Sequence, residues 1–208
     1  MLSSVERNRL LFKTQLAIAN ARTSKEVFMS ETEFSVGKNC GVTFAGIKPS
    51  SLVSVKKEGA NDLKSLSHSF KKKGISFRVL KETQNRLVVL VYDKKRLDEV
   101  LKTSEAKVFL LSFGYSYKTA EEAVNELAAR MNKKDFPHEI GVFLGYPIED
   151  VKGFIESPLS GYKTVGTWKV YSNEERAAKT FEQYRRCSQN ICQKMVSGFD
   201  LADIFGVA

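Results

Sequence analysis

Two spacings of apolar residues run through this chain, one with the period of a helix and one with the period of a strand. Leu10, Ala17 and Ala21, with Leu11 and Ile18 beside them, predict a helix over residues 5–21. Residues 23–38 are polar and weakly patterned and read as loop, with a short helical extension as the other reading. Residues 41–47 (GVTFAGI) form a candidate strand, and Pro49 then suits the first turn of a short helix that turns Leu52, Val53 and Val55 inward. Leu63, Leu66 and Phe70 stripe a helix over 62–73, capped by Asn61 or Asp62 and ended by Gly74. Over 75–80 the period changes: Ile75, Phe77 and Val79 alternate with Ser76 and Arg78. Residues 86–92 (RLVVLVY) are almost continuously apolar, the pattern of a central strand covered on both faces. The turn-like Gln84-Asn85 joins these two segments as an antiparallel hairpin. Asp93 caps a helix over 94–103, and 108–113 reads as helix from its place between helical segments. Residues 119–132 form a helix with a Thr119/Glu122 capping box and Ala120, Val124, Leu127 and Met131 on one face.

The most distinctive stretch is 136–155, FPHEIGVFLGYPIEDVKGFI. Pro137 cannot continue a preceding helix, and 140–146 is a short apolar run of the kind a buried strand makes. Gly141 and Gly145 on such a strand mark a bulge or a group lying close against the backbone. Pro147 opens a short helix with Ile148, Val151 and Ile155 inward, and Glu149 and Asp150 in its first turn suit the helix dipole. A loop over 156–163 leads to a strand over 164–171. Asn173 caps a long helix to about residue 197, and 198–208 reads as a loosely held tail. The mixture lacks a regular β-α-β series. The expectation is therefore α+β: a single domain over 1–197, with a mostly antiparallel sheet of about five strands and helices packed on it. The alternative is a doubly wound α/β sheet.

At 208 residues the chain is long enough for one well-cored domain. Its 42% hydrophobic and 27% charged content is ordinary for a soluble globular protein, and no run approaches the roughly 18 apolar residues of a membrane span. The N-terminus lacks the apolar core of a signal peptide, so a cytoplasmic protein without a membrane partner is expected. Three widely spaced cysteines (Cys40, Cys187, Cys192) do not form a disulfide framework or a zinc motif, and three free thiols are expected in a monomer or small homo-oligomer. The net charge of +9 is spread along the whole length, with no aromatic RNA-binding motif or phosphate loop beside it. It reads as a solvated basic surface rather than a nucleic-acid interface, with weak general attraction for anions as the other reading.

The candidate chemistry gathers near 136–155. His138 and Glu139 invite a proton-transfer pair, because histidine exchanges protons near neutral pH. Adjacent residues on extended chain point apart, however, so a loop-fixing role for His138 is the plainer reading. Cys40 and His138 suit a thiol nucleophile with its base, but Cys40 has no adjacent helix N-terminus to lower its pKa, and a buried apolar cysteine is the plainer reading. A metal site from His68, His138 and carboxylates has no ligand spacing to support it, and none is expected. Tyr146, Trp168 and Tyr171 are either core or the wall of an aromatic pocket, with Gly141, Gly145 and Gly166 leaving room beside the rings.

The blocks FPHEIGVFLGYPIEDVKGFI, TWKVYSNEERAAKTFEQYRRC (167–187) and NCGVTFAGIKPSSL (39–52) together resemble a family of uncharacterised bacterial proteins, common in clostridia, that is classed as a domain of unknown function. The resemblance implies a stand-alone cytoplasmic protein without an assigned activity or cofactor. Relatives often carry a cysteine just before the Gly-x-Trp-Lys-Val-Tyr motif, where this chain has Val165, so a mechanism needing that thiol is not expected. The function expected is a non-enzymatic binding or accessory protein. Its small-molecule or protein-partner site would be formed by His138, Glu139, Gly145, Tyr146, Asp150, Trp168 and Tyr171. The alternative is a cysteine hydrolase or acyltransferase using Cys40 and His138.

Overall fold

A computed structural model describes residues 29–207. The helix expected over 5–21 lies outside the described residues. Ser30 accepts a hydrogen bond from the Glu33 N–H at 3.0 Å and opens α1 (Glu31–Phe44). The strand expected over 41–47 is thus a correction: it is mostly the last turn of α1. Val36, Cys40 and Phe44 recur at helical spacing and all enter one apolar cluster. Gly37 and Gly41 lie inside this helix where other side chains approach closely. A Cβ on Gly37 would stand 2.4 Å from Met195 Sδ, and one on Gly41 2.4 Å from Ile191 Cδ1.

Pro49 opens no helix. Ser50–Lys56 is strand β1, in which Val53 and Val55 are buried and Ser54 is exposed. After a 3-10 turn, α2 (Ala60–Phe70) leads through Gly74, whose φ of 75° suits glycine, into β2 (Ile75–Glu82). β3 (Arg86–Asp93) returns beside it. The sheet order is β1-β3-β2, antiparallel throughout, with Val89 opposite both Val53 and Val79. β3 is central, as its apolar run predicts. Leu87, Val89 and Val91 face one cluster, and Leu90 and Tyr92 face the other.

On the second face lie α3 (Lys94–Leu101), α4 (Ser104–Ser112), α5 (Ala120–Met131), α6 (Ile140–Phe143) and α7 (Ile148–Glu156). Side-chain oxygens of Asp93, Thr103 and Thr119 cap the first three. The first face is covered by α1, α2, α8 (Glu174–Val196) and α9 (Leu201–Phe205). The architecture is mixed helix and sheet, consistent with α+β.

Three further expectations are corrected. The run 140–146 is not a strand but the four-residue helix α6 and a turn. Leu144 N–H donates to Ile140 O at 3.0 Å and Tyr146 N–H to Gly141 O at 2.9 Å. Every residue from Ile140 to Leu144 is buried, so the run shows no polar face to set its period, and a short apolar run fits helix and strand equally. The strand expected over 164–171 is a small hairpin of two dipeptide strands, β4 (Thr164–Val165) and β5 (Lys169–Val170). The sheet therefore has three strands with a separate two-stranded one, not about five.

Within 198–208, Asp200 caps α9, and Leu201 is fully buried with its N–H on Glu33 Oε1 at 2.9 Å. Phe205 meets the rings of Phe44 and Phe70 edge-on at 5.4 and 5.8 Å. These residues close the first cluster instead of hanging free. Replacing Leu201 with alanine should lower the unfolding free energy by about 2–4 kcal/mol, measured by urea denaturation. Unchanged stability would show that the C-terminus is loosely held after all.

Candidate functional site

The segment leading into α6, then α6, α7 and the β4–β5 hairpin meet around a pocket of about 330 Å³. Phe136 and His138 stand at its mouth, and Ile140, Gly141, Leu144 and Val151 make its floor. Tyr146, Phe154 and Trp168 wall it, and Thr167 and Lys169 are its hairpin edge.

Asp150 holds the hairpin against α7. It is buried in the first turn of α7, where negative charge suits the helix dipole. Its Oδ2 accepts from Trp168 Nε1 at 2.7 Å, and its Oδ1 accepts from the Tyr171 and Ser172 N–H groups, each at 2.8 Å. The Tyr171 ring lies over Gly153, where a Cβ would come within 2.4 Å of Cγ, and its hydroxyl donates to Ser157 O at 2.7 Å. Asp150 and Tyr171 therefore serve the frame of the pocket.

Trp168 stacks on Tyr146 with ring centroids 4.7 Å apart and meets Phe181 of α8 edge-on at 4.5 Å. Behind Tyr146 lies Lys48, only 6% exposed. Its Nζ stands 5.0 Å from the centroid of Tyr146 and 5.7 Å from that of Tyr184, with no carboxylate of the described residues within 4.0 Å. The rings give it cation–π contacts in place of a counter-ion. Burial lowers its pKa from 10.5 to about 8, with Cys40 acting in the opposite direction. Burial likewise pushes Tyr146 up to about 12, with Tyr184 adding to the shift. Nothing in the spacing of Lys48 singles it out. Its burial follows from the turn between α1 and β1, which tucks it under α8.

The other expected site residues divide. His138 is exposed, its ring between those of Phe136 (5.3 Å) and Phe154 (5.1 Å) at the pocket mouth. Glu139 turns the other way, into the core. It accepts from Tyr115 Oη at 3.0 Å and lies 3.9 Å from Arg130, whose guanidinium covers the Tyr115 ring at 4.0 Å. Burial and the neighbouring Glu139 charge both push the Tyr115 phenol upward. The His138–Glu139 pair therefore diverges.

Cys40 lies in α1, fully buried in the cluster on the opposite face of the sheet, and burial pushes its thiol well up. The structure does not bring it to His138. Cys187 and Cys192 on α8 are half-buried, and all three thiols are free. The space beside the glycines is filled by the protein itself. A Cβ would stand 2.7 Å from Val151 at Gly141, 2.7 Å from Pro49 at Gly145 and 2.2 Å from Phe181 at Gly166. Gly145 also has a φ of 72°. The pocket is open where the aromatic rings diverge, not where the glycines lie.

A wider cleft of about 530 Å³ at the start of α1 has charged and polar walls. Some of its polar groups pair with one another: Lys56 with Glu31 at 2.9 Å, and Arg86 with Ser54 through Oγ and O, each at 2.7 Å.

The site is thus an aromatic pocket on an α+β frame, without an assembled nucleophile–base pair. Over residues 36–205 the chain matches the family described as protein of unknown function (DUF3793), and it belongs to that family. No curated protein and no solved structure matches it significantly. Among the described residues, no helix is long and apolar enough to cross a membrane.

Two substitutions check the geometry. Asp150→Ala leaves three donors without their acceptor and should cost about 3 kcal/mol or more in urea denaturation. A loss below about 1 kcal/mol would contradict the role given to Asp150. Lys48→Met removes a buried ammonium. Because the folded pKa of Lys48 is depressed, the unfolded chain binds more protons between pH 8 and 10, and the Lys48 contribution to stability rises with pH across that window. Lys48→Met should therefore be more stable than the parent at pH 7 by about 1–3 kcal/mol, with the gap closing toward pH 10. A gap independent of pH would place Lys48 in solvent.

Proposed function

We propose that this is a non-enzymatic binding protein of the cytoplasm, acting as a monomer or small homo-oligomer, that holds a small aromatic molecule in the pocket between α6, α7 and the hairpin. The observation that carries the reading is the stacked Tyr146–Trp168 wall beside an open volume of about 330 Å³, within the size range of small-molecule sites. The divergence of Glu139 from His138, and the burial of Cys40 behind the sheet, favour binding over hydrolysis.

Trp168 is the single tryptophan of the chain, so its indole N–H signal in a 15N NMR spectrum reports on the pocket without ambiguity. A panel of small aromatic fragments should yield binders that shift this signal together with the Thr167 and Lys169 amides. Thr167→Phe, which places a ring at an exposed edge of the pocket, should remove those shifts and leave the fold intact. His138→Ala should weaken fragment binding with near-normal thermal stability, because the imidazole is exposed and its contacts are to ring faces at the mouth. Fragments that perturb other surfaces and leave Trp168 unmoved would refute the reading. So would a His138→Ala variant that loses stability while binding is unchanged.

A further inference from the structure

The polar groups of the pocket are unbalanced in sign. Among the described residues Asp150 is the only acid in its walls, and both of its oxygens are taken up by Trp168, Tyr171 and Ser172. Glu139, next to His138 in the chain, faces Tyr115 and Arg130 in the core, and Glu149, beside Asp150, is exposed and does not line the pocket. The cation Lys169 has no carboxylate of the described residues within 4.0 Å. Its Nζ lies over the rings of Tyr162 (4.6 Å) and Phe154 (5.9 Å) and donates one hydrogen bond, to Pro158 O at 2.5 Å. An ammonium has three N–H donors, so two are left. Thr167 adds a hydroxyl on the same edge, and Lys48 sets a second positive charge behind the Tyr146 wall. Over the aliphatic floor the walls and mouth are aromatic: Phe136, His138, Tyr146, Phe154 and Trp168. Flat rings favour a flat partner through offset or edge-on contacts.

We propose that the pocket takes a planar aromatic carboxylate, its ring against the Tyr146–Trp168 wall and its carboxylate on the Lys169 ammonium and the Thr167 hydroxyl. The proposal rests on the binding function given above and narrows it to a ligand class. A charge-assisted bond from the ammonium gives an anion its advantage over a neutral molecule of the same shape. The spread positive charge of the chain draws anions toward the protein without selecting among them.

Matched probes test this on the full chain: 2-naphthoate and its neutral counterpart 2-naphthamide, titrated by calorimetry, with the Trp168 indole signal locating the site. Naphthoate should bind at least about tenfold more tightly, the ratio that one charge-assisted hydrogen bond supplies. Lys169→Gln should bring the two probes to equal affinity without weakening naphthamide, and Lys169→Arg should keep the preference. Equal binding of both probes to the parent protein at Trp168 would overturn the anionic class and leave the binding pocket standing. If neither probe moves Trp168, the ligand class is overturned too, and the fragment panel decides whether the pocket falls with it. A preference that persists in Lys169→Gln would overturn the assignment of the carboxylate to Lys169.

Discussion

Asp150 accepts three hydrogen bonds with one carboxylate, and the hairpin that gives them has only two residues in each strand. So small a ribbon has little stability of its own. Its position depends on this buried acid, on the Trp168 ring between Tyr146 and Phe181, and on Tyr171 seated over Gly153. A carboxylate in this place satisfies several constraints together. It suits the N-terminal turn of α7, it meets two backbone donors that the hairpin cannot pair internally, and it fixes the indole that walls the pocket. Because the pocket lies between α7 and the hairpin, its shape depends on the same three bonds.

Close approach is the second constraint, and the glycines serve it. Gly37 and Gly41 let α8 lie against α1, and Gly166 lets Phe181 cover the hairpin. α8 thus reaches from the core of the first face to the aromatic box around Lys48. An amine buried there without an acid partner among the described residues costs stability at neutral pH, offset only in part by two tyrosine rings. The charge it leaves behind Tyr146 bears on what the pocket will accept.

The parts of the fold legible in the sequence were those with a polar face to set the period. Residues 119–132 alternate buried Ala120, Val124 and Leu127 with charged neighbours, and the helix was plain. The apolar run of β3 marked a strand covered on both sides, because its length and β-branched residues excluded a surface position. Runs buried all round gave no such signal. Ile140 to Leu144 fold as a helical turn, and the glycines of 37–41 lie inside a helix because of a partner 150 residues away. Pro49 marked an element boundary correctly but named the wrong element, since pairing of β1 with β3 outweighs a local preference. At the candidate site, the sequence singled out the region and its aromatic residues, and the structure brings Tyr146, Trp168 and His138 to one pocket. The roles of Asp150, Glu139 and Lys48 rest on side-chain directions that spacing along the chain does not encode.

The clamp at Asp150 is the centre of this account, and amide hydrogen exchange reads it directly. The Trp168 indole N–H and the Tyr171 and Ser172 amides, all of which donate to Asp150, should exchange far more slowly than the amide of the exposed Thr167 in the same hairpin. Protection approaching that of β3 would show that the hairpin is held as a fixed wall of the pocket. Exchange of all three at the rate of an open loop would show that the bonds to Asp150 do not persist in solution, and the pocket would lose its defining wall.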